Sequence, residues 1–296
     1  VGSVAAHSRL DRAANPSIFL TVMRRAADGS NVQNGRRVFT ALRCNAISCR
    51  LVIDRAAGFG NSDGSEVNMH LNSDFSARVV VRPDDYRWVS SPSGGVERMM
   101  LDRIGDEVAR ATTIVRFAPG SQFDAHTHGG GEEFLVLDGV FSDETGDFPK
   151  GSYVRNPVGT SHTPHTDKGC TIFVKLHQFA EGDTDPVHVD LGAVEFHGGP
   201  SVSVACLHRA GPEKVVAERW AAGTEIARRS YPGGAEILVL EGEIRDDDGA
   251  YPEGCWLRFP SGSAHRPRSA HGCLLYIKTG HLDPIIGAEM PADGRV

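Results

Sequence analysis

His126-Thr127-His128-Gly129-Gly130-Gly131-Glu132-Glu133-Phe134-Leu135-Val136-Leu137-Asp138-Gly139 is the stretch on which the reading of this chain turns. In an extended strand, residues two apart face the same way, so His126 and His128 project together. The three glycines let the backbone turn tightly before Glu132 enters an apolar run. A third imidazole follows in Pro157-Val158-Gly159-Thr160-Ser161-His162. It must arrive from a distant strand, which a small closed barrel allows because its inward residues converge on one axis. Three neutral imidazoles and a carboxylate suit Fe, Zn, Mn, Ni or Cu. An HxH pair alone is most often a feature of a surface strand. The spaced Glu, the later His and the Gly and Pro markers make it a site. His126, His128, Glu132 and His162 are therefore expected to hold one divalent metal ion per chain, the choice among Fe, Zn, Mn and Ni being open.

The chain then repeats itself. Glu133 through Gly139 match Glu236-Ile237-Leu238-Val239-Leu240-Glu241-Gly242, and Gly151 through Pro157 match Gly254 through Pro260. His162, Pro164, Gly169, Cys170 and Lys175 match His265, Pro267, Gly272, Cys273 and Lys278, every pair offset by 103. Upstream, Leu101-Asp102-Arg103 faces Leu207-His208-Arg209 at an offset of 106. Duplication is the natural cause, each copy being one β domain. In the second copy the positions of His126, His128 and Glu132 hold Arg229, Tyr231 and Ala235, whereas Glu133 persists as Glu236. Three residues lost together behave as a set with one task, which selects Glu132 over Glu133 as ligand and leaves the second barrel without a site. His165 is read as a turn histidine, with a role beside the metal as the alternative. Arg228 and Arg229 are read as forming a surface or structural ion pair, with anion binding as the alternative, and Cys170 and Cys273 as buried packing residues.

Composition agrees with an all-β chain. Its 34 Gly and 16 Pro mark many turns, and short β-branched runs such as Thr112 to Phe117 recur between them. The expected architecture is two tandem β domains, each a sandwich or barrel, behind a poorly ordered leader: residues 1–68 leader, 69–185 metal-binding domain, 186–296 degenerate domain. The leader carries nine Arg, no Lys and five acidic residues; it is expected to be disordered or to precede the true start at Met69. A net charge of −7 argues against nucleic acid or an anionic membrane as partner. No apolar run approaches the roughly 18 residues that cross a bilayer. Six cysteines without a CxxC suggest free thiols and a cytoplasmic setting. Nothing in the residues decides between a monomer and a homodimer.

The runs His126 to Gly139 and Pro157 to Pro164 resemble the two motifs of the cupin superfamily, and within it the ChrR-like cupin domains; Trp88, Gly95-Val96 and Leu101 are similar to that family's entry segment. The resemblance implies a jelly-roll barrel with the metal on His126, His128, Glu132 and His162. ChrR itself is an anti-sigma factor whose cupin follows a helical zinc-binding domain, signed by a His and, after three intervening residues, a CxxC pair. That signature is absent here, since four residues separate Cys44 from Cys49 where a CxxC pair has two, which argues against a sigma-factor partner. Other members of the group are metal-dependent dioxygenases acting on small oxygenated substrates. Two roles follow: oxygenative cleavage of a small enol, diketone or hydroxyketone, or a sensor or regulator that binds a small-molecule ligand without catalysis. No catalytic residue beyond the ligands is singled out.

Overall fold

A computed structural model describes residues 69–282 apart from residue 107, so the expectations for residues 1–68 lie outside the described residues. The chain is all-β: two jelly-roll barrels, each an antiparallel sheet. The first sheet runs His70–Leu71, Val96–Ile104, Arg110–Phe117, Cys170–Leu176, Glu132–Asp143, Ser152–Asn156 and Val187–Asp190. The second runs His197–Gly198, Val202–Ala210, Glu213–Trp220, Cys273–Thr279, Ala235–Arg245, Trp256–Phe259 and Val79–Val81. Each last strand is a crossing: Val79–Val81 precedes the first barrel in sequence yet pairs with Trp256–Phe259 of the second. Val187–Asp190 in turn opens the second repeat in sequence yet pairs with Ser152–Asn156 of the first barrel. The change of offset from 106 to 103 also has a structural cause, because the hairpin after Val96–Ile104 has a five-residue loop, 105–109, where the second copy needs only 211–212. Among the described residues, no helix is long and apolar enough to cross a membrane.

Alternation along the strands sorts side chains between two kinds of core. Phe134, Val136, Val115, Phe117, Ile172 and Val174 fill the interior of the first barrel. Their neighbours Leu135, Ile114 and Phe173 join Leu238, Ala217 and Tyr276 in a core between the barrels. Both faces of these strands are covered, which is why their sequences read as continuous apolar runs rather than as polar alternation.

That middle layer also carries charge. Glu133 and Lys175 lie opposite each other within the first sheet, as do Glu236 and Lys278 within the second. The ion pairs nevertheless run across the interface: Lys175 with Glu236, and Lys278 with Glu133 at 2.7 Å. Arg258 reaches Asp102 of the first barrel at 3.2 Å, and Lys278 and Arg155 both bind Glu213. All these side chains are buried. Burial alone would raise the Glu133 carboxyl, but Lys278 and Arg155 together hold it well below its usual range. Burial pushes His281 down to about 4, although Glu236 accepts a hydrogen bond from it.

Removing one member strands its partner's charge in the core, a loss of about 3–5 kcal/mol. Lys278→Met is therefore expected to lower the stability of the whole chain by that order in urea denaturation. Breaking the exposed Arg116–Glu97 pair should cost under about 1 kcal/mol. The pH dependence has a fixed sign. His281 takes up a proton more readily unfolded than folded, so stability is full above about 6.5 and declines as pH falls toward 4. Glu133 adds a further loss below about 4.5, since its folded carboxyl holds its proton less tightly than the unfolded one. A melting temperature flat from pH 7 down to 4 would contradict this.

Candidate metal centre

The four predicted side chains come together at one end of the first barrel. A two-residue ladder pairs His162 with His126 across antiparallel strands. His128 follows two residues after His126 and turns the same way. Glu132 opens the strand Glu132–Asp143 and faces the barrel interior, while Glu133, one residue on, faces the second barrel. Between His128 and Glu132, Gly131 adopts φ 77°, and a Cβ there would stand 2.4 Å from the Phe179 ring. The donor atoms of His126, His128, Glu132 and His162 all lie within 4.8 Å of one another. His128, Glu132 and His162 are buried, and His126 is exposed at the mouth.

The hydrogen bonds around the cluster fix which nitrogen each imidazole presents. His126 Nδ1 lies 2.9 Å from the Asp124 carbonyl, which can only accept, so Nδ1 carries the proton. His162 Nδ1 donates to the Asp143 carboxylate at 3.0 Å. The Thr160 hydroxyl spends its proton on the Pro157 carbonyl at 2.7 Å and accepts from His128 Nδ1 at 2.9 Å. Each Nε2 therefore brings a lone pair inward. Burial lowers the pKa of His128, which keeps it in that neutral form. The result is a knot of acceptors. His128 Nε2 and His162 Nε2 stand 3.2 Å apart, and each is 3.5 Å from Glu132 Oε1. The donor aimed at the knot is the Asn156 amide, 3.2 Å from Glu132 Oε1. Lone pairs converging out of water repel unless a cation lies between them. Ligands about 2.1 Å from an ion lie about 3.0 Å apart at a right angle and about 3.4 Å at the tetrahedral angle, so the spacing fits a first-row divalent ion.

The cluster borders a cavity of about 260 Å³ lined by Val115, Phe117, Phe123, Phe141, Ile172 and Val174, with Arg98, Arg103 and His177 among its polar residues. His177 was not anticipated. It holds φ 54°, a left-handed conformation that costs a non-glycine residue on the order of 1 kcal/mol. The second copy has Gly280 there, at φ 78°. The supports Asp143 and Thr160 were also missed. Their signal was in the repeat, since Asp246 and Ser263 stand 103 residues later. His165 is exposed and pairs with Gln122 in a short ladder away from the cavity lining.

In the second barrel the equivalent positions answer one another. Arg229 forms an ion pair with buried Glu218, and Tyr231 Oη lies 3.0 Å from His265 Nε2, the atom that faces the cluster in the first barrel. His265 Nδ1 keeps its bond to Asp246 at 3.1 Å. Among the described residues, the other group with metal-ligand spacing is Asp183, His208 and Glu213. Its carboxylates are already answered by Arg155 and Lys278 in the layer between the barrels. Cys170 and Cys273 are buried, and burial raises each thiol to about 11, as packing residues require.

A search of family models matches the ChrR cupin-like domain twice, over residues 76–180 and 185–283. The chain belongs to the ChrR cupin-like family. Its resemblance to the anti-sigma-E factor ChrR of Cereibacter sphaeroides is 37% identity over 89 residues, 30% of this chain and 39% of that protein. The chain thus matches well under half the length of that ChrR relative. Similar solved structures include a candidate dioxygenase from Nostoc punctiforme, 14% identical with a TM-score of 0.56, covering 73% of this chain and 83% of that one. Another is the Mn(II)-containing oxalate decarboxylase of Bacillus subtilis, 12% identical with a TM-score of 0.50, covering 69% of this chain and 77% of that one. At such identities the likeness is one of fold.

The Asp143 carboxylate holds the His162 tautomer, so Asp143→Ala should loosen the cluster without touching a ligand. Loss of such a support typically weakens metal retention about 10- to 100-fold. Equilibrium dialysis against Co(II) checks this, and an unchanged affinity would remove Asp143 from the account.

Proposed function

We propose that this ChrR-like bicupin carries one divalent ion on His126, His128, Glu132 and His162, and uses it in the oxygenative cleavage of a small enol, diketone or hydroxyketone. The observation that carries the metal assignment is the knot of acceptors, with three Nε2 lone pairs and a carboxylate facing one point. A bound ion would polarise a substrate oxygen and stabilise the charge that develops on it. The chain's own residues supply the rest. Asp143, Thr160 and the Asp124 carbonyl orient the imidazoles, and Asn156 holds Glu132. The apolar wall of Phe117, Phe123, Phe141 and Val115 excludes water from the reacting end. The cavity volume of about 260 Å³ suits a compound of few heavy atoms. A cytoplasmic setting belongs to the same proposal, supported by free Cys170, Cys206, Cys255 and Cys273.

One observation favours a second reading, that of a sensor or regulator: the 37% identity to an anti-sigma factor. The matched segment covers only 39% of that protein, and this sequence has no CxxC pair.

Protein loaded anaerobically with Fe(II) is expected to consume oxygen with at least one member of a panel of small enols, diketones and hydroxyketones, measured with an oxygen electrode. His128→Ala should abolish that uptake. Absence of uptake across the panel, together with a sigma factor retained on the immobilised full chain, would replace the enzyme reading by the regulatory one.

A further inference from the structure

Two polar side chains in the cavity have no task inside the protein. Arg98 follows Val96 by two residues on the strand Val96–Ile104 and shares its inward face. Arg98 lines the cavity, and its guanidinium has no hydrogen-bond or ion-pair partner among the described residues. The imidazole of His177 lines the same cavity, packed over Gly130, and likewise has no hydrogen-bond partner there. Arg103 adds a second guanidinium to the lining and donates to the Gly105 carbonyl at 3.0 Å. Glu132 is the one carboxylate facing them among the lining residues. A half-buried cation without a counter-ion is costly, and a planar guanidinium fork matches a carboxylate.

The second barrel is an internal control. The registers place Arg98 opposite Val115 and Val204 opposite Glu218, so Val204 stands where Arg98 stands in the first copy. Gly280 occupies the place of His177. Both groups are thus absent from the copy in which three of the four ligand positions are lost. Gly280 takes the left-handed conformation without strain, whereas His177 accepts it and brings an imidazole to the cavity.

We propose that this cavity is built for a small carboxylate-bearing ligand, with the Arg98 guanidinium binding the carboxylate and His177 supplying a second polar contact. The proposal rests on the reading of this cavity as the working site, and it narrows the substrate class to an anionic oxygenated compound such as a short oxo or hydroxy acid.

Isothermal titration of the full chain, metal-free and Co(II)-loaded, with pyruvate, oxalate and the neutral butane-2,3-dione tests it. Wild-type protein should bind a carboxylate probe at least about tenfold more tightly than the dione, the scale of a hydrogen-bonded charge pair. Arg98→Val, which installs the residue of the second barrel, should erase that preference while Co(II) content stays unchanged, and Arg98→Lys should keep part of it. His177→Gly should weaken carboxylate binding without lowering the melting temperature. Equal affinity for carboxylates and dione, or a preference that survives Arg98→Val, overturns the proposal. A lower melting temperature with unchanged affinity in His177→Gly would make that residue structural. Carboxylate binding without Co(II) uptake would overturn the metal assignment alone, and Co(II) uptake without carboxylate preference would overturn this inference alone.

Discussion

Two carboxylates one residue apart show what the alternation of a β-strand imposes on this chain. Glu132 faces the interior of the first barrel and joins three imidazoles; Glu133 faces the second barrel and meets Lys278, Arg155 and Tyr276. The 180° step between neighbours gives adjacent residues of the same type opposite employments. A slip of one residue in register would put Glu133 among lone pairs and Glu132 in the ionic layer, losing both arrangements at once. The site and the joint between the barrels are therefore held by one strand, and the stability of one is tied to the geometry of the other.

The buried ionic layer is an expensive way to join two barrels, because desolvation of so many charges consumes most of their attraction. Lys175 has Glu133 directly across its own sheet, yet its ammonium reaches Glu236 of the other barrel, and Lys278 reciprocates toward Glu133. Exchange of the strands Val79–Val81 and Val187–Asp190 adds backbone pairing to the same joint. Duplicated barrels with similar faces could pack in several ways, and these charges satisfy one of them.

Much of this was legible in the residues. The offset of 103 gave the duplication, and the contrast between Glu132 and Glu133 across the two copies separated the cavity residue from the interface residue. What was not legible depends on partners far apart in sequence. The crossing of Val79–Val81 to a strand more than 170 residues away leaves no local pattern. Asp143 and Thr160 are polar residues in ordinary turn and strand contexts, and only the fold shows that they face His162 and His128. His177 is invisible without its backbone angle. His165, though next to a motif, stays outside the cavity lining. The pairing of Arg229 with Glu218 was foreseen in kind but not in partner, since Glu218 lies on another strand.

The central claim is that the lone pairs of His126, His128 and His162, with Glu132, surround one cation, and that the second barrel has replaced that cation with the Tyr231–His265 hydrogen bond. Metal content per chain, measured by plasma mass spectrometry on protein expressed without added metal, addresses it most directly. About one divalent ion is expected in the wild type, none in His126→Ala, and about one in His265→Ala. Equal metal content in all three, or loss in His265→Ala alone, would contradict it.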